Sequence, residues 1–211
     1  MILFLDVVSP CPKFVLIDND KIIQSIHILD QNITKISDSL LPKYLMLEKE
    51  YDLCNKIDKL IITTGPGSFT SLRLGISFMY GQSISKNIPI YGISNTKLLN
   101  YSIKKDSYEN TLLLICSVNN QNFICIPFNK ASNDYKIYMI SDEILEKINS
   151  DYCTNCIANY KLPYNFKKKL SNINNFVVHN IEENLNSYVL SNLKEEKIIN
   201  PVYISDNKLF N

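Results

Sequence analysis

The sequence predicts an α/β protein of two halves, each a mixed sheet flanked by helices. Three observations predict it. The first half reads β-β-β-α-β-α-β-α, three hairpin-linked strands followed by crossover connections. All five glycines and the only arginine lie between Gly65 and Gly92, so backbone freedom is concentrated in one window. A polar segment, Lys104–Asn110, then separates this half from a second group of strand-like runs.

Each element has a local reason. Ile2–Leu5, Phe14–Ile17 and Ile22–Leu29 are short runs rich in β-formers. Pro10-Cys11-Pro12 and Asp18-Asn19-Asp20 supply the turns between them. Ile36, Leu40, Tyr44, Leu47 and Tyr51 recur at helical spacing, with Pro42 inside the pattern as a kink or step. Lys59–Thr64 reads as a strand, Ser71 to Lys86 as a helix and Ile88–Ile93 as a strand. Ser94 or Asn95 can cap a helix running towards Ile103. In the second half, Leu112–Ser117, Phe123–Phe128, Lys136–Ile140 and Phe176–His179 read as strands. Asp142–Ile148 reads as a short helix, and Glu182–Leu193 as a helix presenting Leu185, Val189 and Leu193.

Composition bounds the function. The chain has 211 residues, 45% of them hydrophobic and 20% charged, the make-up of an ordinary globular protein. A formal net charge of +1 supplies no field to draw the whole molecule onto nucleic acid or an anionic membrane. The one basic run, Lys167-Lys168-Lys169, reads as a solvated helix face. No apolar stretch approaches the roughly 20 residues that span a bilayer. Met1 to Asp6 reads as a first strand rather than a signal peptide, which implies a cytoplasmic protein with reduced thiols.

The window of glycines is the most informative feature. It reads Gly65-Pro66-Gly67-Ser68-Phe69-Thr70-Ser71-Leu72-Arg73-Leu74-Gly75. Placed between a strand and a helix, its N–H groups can receive an anion, and Ser68 or Thr70 can cap the helix or meet a phosphate oxygen. Arg73, in the first turn, can pair bidentately with a carboxylate or phosphate. The pattern is neither a Walker A loop nor a dinucleotide fingerprint, so a tight strand-to-helix turn is an equal reading. Ser71 and Gly75, and then Ser77, Gly81 and Ser85, repeat at four-residue spacing. Such small residues admit another backbone closely, either within the chain or from a second one.

Other chemistry is sparse. His27 and His179 stand alone on predicted strands, without zinc-ligand spacing. Cys153-x-x-Cys156 has no second pair and reads as buried thiols. Asp6 ends the first strand, but Val7-Val8 follow it where hydroxyl residues would cradle phosphate, so a turn-capping carboxylate is expected. No Ser/His/Asp or Cys/His set can be assembled.

The glycine motif, Gly81, Pro89-Ile90-Tyr91-Gly92-Ile93-Ser94, the opening Ile2-Leu3-Phe4-Leu5-Asp6 and the closing Pro201-Val202-Tyr203 together resemble the TsaB (YeaZ) family. That family serves the bacterial tRNA threonylcarbamoyladenosine system. The resemblance covers about the first 100 residues and the ending. It implies two ribonuclease-H-like lobes of the actin-like ATPase superfamily: an N-terminal lobe over 1–105 carrying the motif, and a divergent C-terminal lobe over 106–211 whose end packs back on the first. It implies a non-catalytic scaffold subunit, dimerising with itself or with a catalytic TsaD subunit. TsaD carries the transfer of threonylcarbamoyl to N6 of adenosine 37 in tRNAs reading ANN codons, and the ATPase TsaE completes the assembly. tRNA is then met through the complex, ATP or ADP belongs at the joint between subunits, and no metal or membrane is involved.

Four departures bear on this. Val7-Val8 replace the family's Thr-Ser or Thr-Ala, and Ile36 its helix histidine. Ser117-Val118-Asn119 replace its Asp-Ala-Arg, and Ser71 the third motif glycine. All four remove polar or flexible groups from a nucleotide site. The expected partner interface comprises Leu40, Tyr44 and Leu47 from one helix and Ser71, Gly75, Ile76, Met79 and Tyr80 from the other. A large residue at Gly75 or Gly81 is then expected to block association before it unfolds the chain. Gly65, Gly67, Ser68, Thr70 and Arg73 remain the candidates for anion or nucleotide contact. Two other readings compete: a stand-alone nucleotide-dependent ATPase or phosphotransferase, and a peptidase, which lacks its metal-binding histidine pair here.

Overall fold

Two five-stranded sheets of identical topology form the frame of this computed structural model. It describes residues 1–30, 35–103, 109–129, 134–150, 153–161, 170, 172–194 and 198–204. Lys167-Lys168-Lys169 and most of Lys104–Asn110 lie outside the described residues.

The first sheet has the order β3-β2-β1-β4-β5. Its strands are β1 (Ile2–Asp6), β2 (Lys13–Asp18), β3 (Lys21–His27), β4 (Lys59–Thr63) and β5 (Ile90–Ile93). β1, β2 and β3 pair antiparallel, whereas β1, β4 and β5 run parallel. Asn19 and Asp20, both at positive φ, close the β2–β3 hairpin where the turn is expected. β1 and β4 are buried almost throughout, as strands covered on both faces must be.

Two helices pack together on this sheet: α1 (Ile36–Tyr51) and α3 (Phe69–Lys86), with a one-turn α2 (Leu53–Lys56) between them. α1 runs unbroken through Pro42 and ends on Asp52 in the left-handed region. Tyr44 of α1 meets Phe78 of α3 edge to face at 5.2 Å, and both lean on Phe14 of β2. Lys86 of α3 donates to the Tyr44 hydroxyl at 2.7 Å and the Glu48 carboxylate at 3.0 Å. Burial opposes the Lys86 charge, but these two partners outweigh it and raise the ammonium's pKa. α4 (Asn95–Asn100) follows β5, its N-terminus capped by the Ser94 hydroxyl, which accepts from Lys97 N–H.

The second sheet repeats the first with no sequence repeat. Its strands are β6 (Thr111–Ile115), β7 (Phe123–Asn129), β8 (Asp134–Met139), β9 (Asn155–Ala158) and β10 (Asn175–Val178), ordered β10-β9-β6-β7-β8. α5 (Asp142–Ser150) precedes β9. Two expectations need correction. β9 overlaps the segment read only as a cysteine pair; a four-residue strand gives too short a run for periodicity to register. The helix expected over Glu182–Leu193 is a 3-10 turn, Ile181–Asn184, and a short helix α6 (Ser187–Ser191). Asn186 divides them, its side chain accepting from Val189 N–H and starting α6 afresh. Among the described residues, no helix is long and apolar enough to cross a membrane.

Candidate functional site

The glycine turn is a seat for the strand-end valines. β1 ends in Asp6, and Val7 and Val8 follow it completely buried. A Cβ on Gly67 would lie 3.1 Å from Val8 Cγ2, and one on Gly75 only 2.7 Å from Val7 Cγ1. The glycines at these two positions therefore make room for the valines. Gly65 has φ +107, and a Cβ there would meet the Val202 carbonyl oxygen at 2.9 Å. Three backbone bonds staple this turn in place: Thr64 N–H to Ile93, Asn95 N–H to Gly65 and Val202 N–H to Thr64, at 2.9, 2.8 and 2.7 Å. The equivalent turn of the second lobe closes on top, Val118 N–H donating to the Val8 carbonyl at 2.9 Å.

Asp6 acts as the organiser of its own turn. Its carboxylate accepts from Val8 N–H at 2.9 Å and from Ser9 N–H and the Ser9 and Thr63 hydroxyls. Complete burial raises its pKa, and the Ser9 hydroxyl, the two N–H donors and Lys13 offset that only in part. This is the turn-capping role expected for it. A narrow cleft of about 120 Å³ opens beside it, between Ser9, Lys13, Asn159 and Glu182. That is below the roughly 300 Å³ at which small-molecule pockets begin. The Lys13 ammonium pairs with Glu182 at 2.5 Å across it, both side chains about nine-tenths buried, and so ties the two lobes.

The remaining motif residues are spread apart. Ser68 is buried at the start of α3 and makes no side-chain cap, and Thr70 is exposed. Arg73 lies over the Phe69 ring at 3.9 Å, and Phe69 packs tilted against Tyr203 at 4.8 Å, both rings well exposed. Among the described residues, no cluster of three or more His, Cys, Asp or Glu side chains could hold a metal ion. Cys153 and Cys156 are buried with Cys116 and Cys125, and burial pushes the Cys116 thiol up to about 12, away from reactivity. His179 is half-buried beside Glu183, and His27 is exposed.

The residues expected to meet a partner lie inside the lobe. Leu40, Tyr44, Leu47, Ser71, Gly75, Ile76 and Met79 are buried, and Tyr80 is half-buried, its hydroxyl accepting from Ile199 N–H. The physical reason is helical phase: these positions face the sheet. Gly75 packs on Val7 and Ile62, so a large side chain there strikes the core first, contrary to the expectation for that substitution. Gly81 differs, with nothing within 4 Å of an added Cβ. The outward sides of the same helices carry Leu41, Leu45 and Met46 on α1, each more than half exposed, and Arg73, Ser77, Gly81 and Ile84 on α3. Sequence periodicity could not say which stripe of these helices faced inwards.

The profile of the family described as TsaD, tRNA N6-adenosine threonylcarbamoyltransferase, matches residues 38–199. No curated protein sequence matches the chain. Among solved structures, it is similar to a Pseudomonas aeruginosa protein described as uncharacterized with similarity to peptidase YEAZ. That match has a TM-score of 0.63 and 12% identity, covering 97% of this chain and 99% of that one. YeaZ from the same organism matches with a TM-score of 0.61 and 12% identity, over 96% and 99% of the two chains.

Proposed function

The chain belongs to the tRNA N6-adenosine threonylcarbamoyltransferase (TsaD) family, and from that premise we propose that it is a non-catalytic subunit of the threonylcarbamoyladenosine-forming assembly. One observation carries the reading: Val7 and Val8 fill the space over the glycine turn where a phosphate would be cradled. The second-lobe turn is tied to the same place, Val118 N–H donating to the Val8 carbonyl. What this chain offers instead is the outer side of α1 and α3. Leu41, Leu45 and Met46 form an apolar patch there, with polar Lys49 and Glu50 beyond it, the layout of an interface core and rim.

In this reading a TsaD-like catalytic subunit docks on α1 and α3, and a homodimer through the same face is the resting form. A TsaE-like ATPase joins the pair, tRNA is contacted mainly through the partners, and any ATP or ADP sits at the joint between subunits. Arg73, 3.9 Å over the Phe69 ring, supplies a charged anchor at the rim.

Reconstitution tests it. The chain is mixed with its cognate TsaD-like subunit, a TsaE-like ATPase, threonylcarbamoyl-adenylate, ATP and an ANN-decoding tRNA. The reading expects product only when this chain is present, and a stable complex by size exclusion. ATP hydrolysis by the isolated chain, abolished by Asp6→Ala with the fold intact, would instead support the stand-alone nucleotide enzyme.

A further inference from the structure

A second, larger cavity lies away from the Asp6 cleft. It occupies about 470 Å³ between α4 of the first lobe and β8 and α6 of the second. That volume falls in the range of small-molecule sites, about 300–1,000 Å³. Its walls come from both lobes, so it exists only when they are docked.

The lining sets the ligand chemistry. Lys97 is exposed at the rim, and among the described residues no carboxylate pairs with its ammonium. One unused positive charge suits one phosphate. Tyr101 and Tyr188 meet edge to face at 6.2 Å and 84°, and Tyr188 is 67% exposed, so an aromatic face is left uncovered. Such a face is a stacking surface for any base. The Asn100 amide oxygen accepts from the Tyr135 hydroxyl at 2.6 Å, which fixes the amide and leaves its nitrogen as a donor. The Ser94 and Thr96 hydroxyls, 2.9 Å apart at the head of α4, add paired sites for sugar hydroxyls.

We propose that this cavity binds one mononucleotide unit, with its base against Tyr188, its ribose at Ser94 and Thr96, and its single phosphate on Lys97. The same chemistry is offered by a free nucleoside monophosphate and by one unpaired nucleotide of an RNA. The site goes beyond the assembly reading and stands apart from it, because binding is read on the isolated chain.

Titration calorimetry on the full chain tests it with AMP, adenosine, ATP and a short single-stranded oligoadenylate. AMP is expected to bind at least as tightly as ATP. Lys97→Gln should weaken AMP about tenfold and leave adenosine unchanged, as loss of one charge-assisted contact predicts. Tyr188→Ser should weaken AMP and adenosine alike. Both positions are exposed, and unaltered thermal unfolding checks that the variants fold. Oligoadenylate binding with the same two sensitivities, and stronger than AMP, would identify RNA as the source. Failure of both AMP and oligoadenylate to bind at millimolar concentration would overturn the proposal. So would binding indifferent to both substitutions.

Discussion

In the first lobe the turn after the leading strand carries Val7 and Val8, which seat against Gly75 and Gly67. In the second lobe the equivalent turn carries Cys116, Ser117 and Val118, and no glycine exists anywhere after Gly92. There an amide does the same work. Asn159, at the end of β9, accepts from Cys116 N–H at 2.7 Å and donates to Cys116 C=O at 2.9 Å. One topology is thus locked twice by different physics: close packing on missing side chains in one lobe, and a buried hydrogen-bonded clamp in the other. The contrast teaches that the glycine motif here preserves a fold, whichever function it accompanies in other chains.

Substitutions can break or sharpen that contrast. The largest effect is expected at Gly75→Leu, where the added side chain overlaps Val7 and Ile62; stability should fall by about 3 kcal/mol or more in urea titration. Asp6→Ala comes next. It leaves the buried Val8 and Ser9 N–H groups without their acceptor and should lose about 2–3 kcal/mol. Asp6 also predicts a pH dependence. Its folded pKa is raised, so the folded state binds the proton more tightly than the unfolded chain. The stability of the native protein relative to Asp6→Asn should therefore rise as pH falls from neutrality through the raised pKa. A difference that shrinks in that direction would contradict the assignment.

Asn159→Leu tests the second lobe's lock in the same way. It removes both bonds to Cys116 and should cost about 2 kcal/mol. Gly81→Ala is the smallest change and has the opposite sign. Nothing lies near an added Cβ, so the gain in helix propensity, about 1 kcal/mol, should appear as increased stability.

The same contrast explains what was legible in the sequence. Most of the first lobe could be read because its elements are long and well punctuated: α1 and α3 span 16 and 18 residues, and Asp18-Asn19-Asp20 and Gly65-Pro66-Gly67 mark turns. The second lobe lacks glycine punctuation, and β9 and β10 have four residues each. β9 hid behind Cys153-x-x-Cys156, a spacing that draws attention to chemistry rather than to a strand. Asn186 interrupts what looks like a continuous helical stripe, and only its capping bond reveals the break. At the candidate site, Val7-Val8 after Asp6 pointed away from a phosphate cradle. That these valines fit the glycines could not be seen, because the contact joins residues about 60 to 70 positions apart in sequence.

The most direct test charges the outer side of the α1–α3 pair. Leu45→Glu combined with Met46→Glu charges exposed positions and should change stability by no more than about 0.5 kcal/mol per substitution. Size-exclusion chromatography with the cognate TsaD-like subunit then reads the claim. This folded double variant should no longer form the complex, whereas the native chain does. A complex that survives both glutamates unchanged would contradict the assignment of this face as the docking surface.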